Sequence, residues 1–195
     1  MDLKEQVYSV LVVSSSEKIS RAIRDVFPLP SFSPFSVVCS VSAAERAVAE
    51  RSFDFIIVNS PLPDDGGLRF SVDAADRFES TMVLFLVREE QYEEARETLT
   101  EYGVFTLRKP VSRSVMEAAS DWLVSARERF RKAEKKTLSI EEKMNEIRLV
   151  NRAKWLLISE LKMTESDAHR YIEKQAMDRC IPKRRVAEEI IKTYS

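Results

Sequence analysis

The sequence predicts an α/β doubly wound, five-stranded parallel sheet, followed by a long coiled-coil helix and an all-α three-helix module. Three observations predict it. Up to Pro110, short apolar runs rich in β-branched residues alternate with stretches of helical spacing. Between Pro110 and Pro182 there is neither glycine nor proline, whereas all three glycines and six of the seven prolines lie at or before Pro110. The charge divides at the same place: residues 1–110 carry 12 basic and 18 acidic side chains, net −6, and residues 111–195 carry 19 and 14, net +5.

The first strand is Val7–Val13, an apolar run too short for a typical helix, and Ile19, Ala22, Ile23 and Val26 then recur at helical spacing. Phe35–Cys39 is the second strand, with a helix after it holding Ala43, Ala44, Ala47 and Val48. Phe53–Val58 is the third and runs into a turn cluster of Pro61, Pro63, Asp64, Asp65, Gly66 and Gly67. Met82–Val87 is the fourth, before a charged helix from about Gln91 to Tyr102, and Val104–Leu107 is the fifth. The Asp-Asp-Gly-Gly run reads as a solvated turn, not as a metal site.

Scarce residues exclude whole classes of chemistry. One histidine, His169, and two cysteines, Cys39 and Cys180, cannot furnish the four ligands of a structural zinc site. A serine or cysteine nucleophile would have to recruit His169, which lies in a charged helical segment. The two cysteines are expected to be reduced and partly buried. No cofactor or metal is implied, and the chain does not read as an enzyme. An N-terminus without a basic start or apolar block, and no apolar run near the ~20 residues of a membrane span, point to a cytoplasmic protein with no membrane partner.

After Pro110 the spacing changes. Met116, Ala119, Leu123, Ala126, Phe130, Ala133, Thr137, Ile140, Met144 and Ile147 follow one another at steps of three and four. From Leu123 to Ile147 this is the expected seam of a parallel homodimer, because one lone helix cannot bury such a stripe. The helix runs on through Val150, Ala153, Leu156, Leu157 and Leu161. Thr164-Glu165-Ser166-Asp167 then reads as an N-cap with acids in the first turn. The helix it opens has an apolar face of Ala168, Tyr171, Ile172, Ala176 and Met177. Pro182 opens a last helix with Val186, Ala187, Ile190 and Ile191 inward. This module gathers Arg152, Lys154, Arg170, Lys174, Arg179, Lys183, Arg184 and Arg185, a set that suits a polyanion. Tyr171 is expected to pack in the core with its hydroxyl at the edge.

Two resemblances extend this reading. Leu11–Glu17, Asp54–Asn59 with Pro63 and Gly67, and Lys109-Pro110 follow the order of the receiver domain of two-component response regulators, a receiver/flavodoxin-like fold. The resemblance implies that Ser14 and Ser15 stand where receivers carry their acidic pair, Asn59 where they carry the phospho-accepting aspartate, and Val87 where a hydroxyl is usual. Of that set Lys109 alone is kept, which implies a pseudo-receiver with no phosphotransfer. The second resemblance rests on Arg152-Ala153-Lys154, Leu156-Leu157, Thr164-Glu165, Ala168, Tyr171-Ile172, Gln175–Asp178, Val186-Ala187 and Ile190-Ile191. Those residues resemble the ANTAR domain, an RNA-binding antiterminator module, although Trp155 and Glu173 depart from its usual pattern. The expected organisation is a pseudo-receiver over 1–112, a coiled-coil linker over 113–147 and an ANTAR-like module over 141–195.

The implied function is transcription antitermination by gripping hairpins in leader transcripts, where Trp155 or Tyr171 could stack on an unpaired base. A DNA-binding regulator, or a scaffold whose pseudo-receiver docks an unknown partner, are the alternatives.

Overall fold

The computed structural model describes residues 6–28 and 30–194, so Met1–Glu5, read above for a leader, lie outside the described residues. Five strands alternate with helices: β1 Tyr8–Val13, α1 Glu17–Val26, β2 Phe32–Val38, α2 Val41–Glu50, β3 Phe55–Asn59, α3 Leu68–Arg77, β4 Met82–Arg88, α4 Tyr92–Glu101 and β5 Phe105–Lys109. Three further helices follow, α5 Arg113–Leu161, α6 Glu165–Asp178 and α7 Lys183–Tyr194. All strand pairs are parallel, in the order β2-β1-β3-β4-β5. The helix α3, which the turn-rich sequence after β3 does not advertise, completes the alternation.

The chain divides into two compact units, Met1–Arg131 and Lys132–Ser195. In the first, strand alternation sends Leu11, Val13, Ile56, Val58, Val83 and Phe85 to one face of the sheet, with Phe70, Ala74, Ala95 and Leu99 of the covering helices. Val10, Val12, Phe55, Ile57, Leu84 and Leu86 fill the other, against Ile23 of α1 and Met116, Ala119 and Leu123 of α5. The central strands are buried on both faces, which is why they read as unbroken apolar runs. The edge strand β2 is half-exposed and begins at Phe32, before the run expected from Phe35. It tolerates Pro34 because a strand with one neighbour has backbone donors to spare.

Helix starts are fixed by hydroxyl caps. Ser16 Oγ accepts from Ile19 N, Ser40 Oγ from Ala43 N, and Ser112 Oγ from Val115 N at the head of α5. Gly67 opens α3 at φ +79°, and a Cβ there would lie 2.9 Å from Val58 Cγ1, so both conformation and space demand glycine.

One corner holds α5 to the sheet. Asp54, just before β3, accepts from Ser9 N and Ser9 Oγ at 2.9 Å each and pairs with Arg127 at 2.9 Å. Tyr8 donates to Glu128 at 2.9 Å. Leu123 is fully buried in the head and Ala126 packs at the edge of that core, so these two expected seam residues serve the receiver-like fold instead of a second helix.

In the second unit, Ala153 and Leu157 of α5, Ala168, Ile172 and Ala176 of α6, and Val186, Ala187 and Ile190 of α7 form one small core. Thr164 caps α6, accepting from Asp167 N at 3.2 Å. Two expectations need correction here. Met177 is not on the inner face: it is 77% exposed, because it lies more than a quarter-turn from the Ala168–Ile172–Ala176 stripe. Both cysteines are free but exposed, Cys39 just past an edge strand and Cys180 in the turn after α6 at φ +49°.

Candidate functional site

In an open parallel sheet the functional crevice lies beyond the carboxyl ends of the strands. Ser14 follows β1, Asn59 ends β3 and Lys109 ends β5, and the fold brings the three together. Asn59 Nδ2 donates to Ser14 Oγ at 3.1 Å, and Lys109 Nζ donates to Asn59 Oδ1 at 3.0 Å and to the carbonyl of Ser60. A lysine ammonium only donates, so it fixes the amide with its oxygen toward Lys109 and its nitrogen toward the serine. Ser14 and Asn59 are buried, while Ser15 is exposed and outside this network. Val87 is buried in the core with Val58 and Phe85.

These are neutral donors and acceptors around one cation. Mg²⁺ requires anionic oxygens in tight octahedral geometry, and a hydroxyl with an amide does not fit it. Burial pushes the Lys109 ammonium below its ordinary range, and the neighbouring Arg88 guanidinium adds to the shift. The acids of the following loop are committed to the turn. Asp64 accepts from Val41 N and Ser42 N at 3.0 Å, capping α2, and these bonds, Ser42's foremost, hold its carboxyl at about 2. Asp65 Oδ1 accepts from Gly67 N at 2.6 Å.

The eight predicted cations of the C-terminal unit fall into two groups. Four are tied to carboxylates: Lys154 to Glu165 at 3.2 Å, Lys183 to Glu173 at 2.5 Å, Arg184 to Glu188 at 2.9 Å, and Arg179 to Glu189 through two bonds at 2.5 and 2.9 Å. The Lys183 contact is the main reason that the Glu173 carboxyl is held below its ordinary range, with His169 at 3.3 Å adding to it. Arg152, Arg170 and Lys174 are exposed and form no ion pair among the described residues. Arg185 is exposed too and acts electrostatically on Glu189.

The untied cations lie in stripes with exposed apolar groups. On α5, Arg152 and Trp155 are three apart, on the side away from Ala153 and Leu157, and Trp155 is 71% exposed. On α6, Arg170, Lys174 and Met177 recur at four and three, opposite the buried stripe, with Tyr171 at their edge. Tyr171 is exposed beyond its hydroxyl, at 39%, so it is less of a core residue than its spacing suggested. Further along α5, still in the second unit, Ala133, Thr137, Ile140, Met144 and Ile147 are all exposed. Sequence reasoning missed the carboxylate partners of Lys154, Arg179, Lys183 and Arg184. The i, i+4 pair of Arg184 with Glu188 was readable from spacing; the others join different helices and were not.

The first unit is a receiver-like sheet, and the second is a small three-helix unit with a basic surface. Residues 139–191 match the ANTAR domain, and together with the receiver fold of the first unit this supports an ANTAR response regulator. It is 29% identical over 142 residues to the transcriptional regulatory protein PdtaR of Mycobacterium tuberculosis strain CDC 1551, an alignment covering 72% of this chain and 68% of that one. Among solved structures, a response regulator receiver domain protein from Clostridium thermocellum shares the fold at TM-score 0.56 and 19% identity, covering 65% of this chain and 99% of that one. The receiver domain of an HD domain-containing protein from Pseudomonas fluorescens Pf-5 does so at TM-score 0.58 and 19% identity, covering 68% and 96%. Among the described residues no helix is long and apolar enough to cross a membrane.

Proposed function

We propose that this protein is an RNA-binding antiterminator. Its C-terminal module binds hairpins in leader transcripts and so prevents a terminator from forming. The observation that carries this reading is the coincidence of the ANTAR match with one compact unit whose exposed faces hold Arg152, Trp155, Arg170 and Lys174. Cations without a carboxylate partner suit phosphates, and an exposed indole suits an unpaired base. Lys154, Arg179, Lys183 and Arg184 are already neutralised, so they contribute less than composition alone implies.

The head acts without phosphotransfer, since Ser14, Asn59 and Val87 offer neither a carboxylate nucleophile nor Mg²⁺ ligands. Intact-mass measurement after incubation with Mg²⁺ and a small phosphodonor should show an unchanged protein. The chain works as a homodimer through Phe130, Ala133, Thr137, Ile140, Met144 and Ile147 of α5, whose exposed side chains a second copy would cover.

Gel-shift binding to a panel of two-hairpin leader RNAs tests the main claim. Hairpin RNA should bind well ahead of duplex DNA of equal length; preference for the duplex would make the protein a DNA-binding regulator instead.

A further inference from the structure

The head contains a cavity of about 740 Å³ between α1, the end of β4 and the first turn of α5. That volume falls within the range of small-molecule sites, typically about 300–1,000 Å³. Its wall is apolar, formed by Ile19, Ile23, Val26, Leu86 and Met116, and its mouth is cationic, with Lys18, Arg88, Lys109 and Arg113. Arg113 is occupied by Glu117 at 2.8 Å, and Asp25 is the one carboxylate on the lining. Lys109 and Arg88 differ from Arg113. Lys109 meets only neutral acceptors, Asn59 Oδ1 and the Ser60 carbonyl, and Arg88 forms no ion pair among the described residues.

Two neighbouring cations with no carboxylate between them are an unbalanced arrangement. Burial disfavours the Lys109 ammonium, and the Arg88 guanidinium adds to this. An anion seated between them removes the repulsion and gains charge-assisted hydrogen bonds. Ser112 and Arg113 at the start of α5 line the same mouth, where the positive end of the helix dipole favours negative charge. Behind the mouth, the apolar wall has room for a hydrocarbon body.

We infer that this cavity binds a small amphipathic anion, its head on Lys109 and Arg88 and its apolar body between α1 and α5. Such a ligand gives the head an input that does not need the carboxylate chemistry it lacks, and it lies against the first turn of the helix that continues into the C-terminal unit. The site rests on the head alone. Binding is measured on the protein without RNA, so RNA recognition can fail while the site stands, or the reverse.

The test is calorimetric titration of the full chain with octanoate and octyl phosphate, against octanol and inorganic phosphate as controls. One or both amphipathic anions should bind about tenfold or more tightly than either control, since head and body each contribute. Ala22→Trp, at an exposed position of α1 on the lining, fills the cavity without replacing a core side chain. It and Arg88→Gln should each weaken binding about tenfold or more, with unchanged circular dichroism. Lys109→Met should do the same where it folds. Failure of both anions to bind at millimolar concentration overturns the inference. So does octanol or inorganic phosphate binding as tightly, or full binding by Ala22→Trp and Arg88→Gln.

Discussion

Asp54 shows how one residue joins two parts of a fold. Burial acts to raise its pKa, but hydrogen bonds from Ser9 and the Arg127 guanidinium outweigh it and hold the carboxyl below its ordinary range. A depressed carboxyl stabilises the fold fully above its unfolded value, about 3.9, and that contribution is lost as pH falls through the folded value. With both side chains largely buried, Arg127→Met should cost about 2–4 kcal/mol in urea unfolding at neutral pH. Below about pH 4 the difference from the parent should shrink, because the unfolded chain then takes up a proton that the parent's folded carboxylate resists. Glu173 offers a residue-level test of RNA binding. Glu173→Gln releases Lys183 and should tighten binding to hairpin RNA several-fold, steepening the log–log salt dependence by about 0.7–0.9 for one added phosphate contact. An unchanged affinity would place Lys183 off the interface. None of this was legible in the sequence: Asp54 and Arg127 are 73 positions apart, and only the fold brings them within 2.9 Å.

At the scale of elements, the strands were the most legible feature. A strand buried on both faces has to be apolar throughout, and β1, β3 and β4 are. The helix α3 was obscured by the Pro, Asp and Gly run before it and by a mixed composition, Leu68–Arg77, in which Phe70, Ser71 and Ala74 face inward. The stripe on α5 was read as one seam, yet it serves two purposes. Met116, Ala119 and Leu123 belong to the sheet core, whereas Ile140, Met144 and Ile147 are each about half-exposed or more. Heptad spacing gives the period and cannot say which surface a given turn faces. Met144→Asp with Ile147→Asp should therefore shift the protein to monomer in sedimentation velocity at micromolar concentration, with the head's unfolding midpoint unchanged. A protein that is monomeric before substitution would remove the coiled-coil dimer. Replacing Leu123 with Ala should instead destabilise the head by about 2–5 kcal/mol, the cost of a buried leucine cavity.

For the whole molecule, the charge asymmetry of the sequence survives in altered form. The basic half is not a uniform cationic surface: carboxylates within the same unit hold Lys154, Arg179, Lys183 and Arg184. Of the eight predicted cations, those left outward are Arg152, Arg170, Lys174 and Arg185, the first three beside Trp155 and Met177. A small set of free cations predicts a moderate salt dependence, with stacking carrying part of the affinity. The most direct test is the affinity of the full chain for a two-hairpin leader RNA across a range of salt, beside the Arg152→Ala, Arg170→Ala, Lys174→Ala triple variant. The log–log slope of the parent should exceed that of the variant by about 2.1–2.7, at about 0.7–0.9 for each of three lost contacts. Identical slopes and affinities for the two proteins would contradict RNA recognition by this surface.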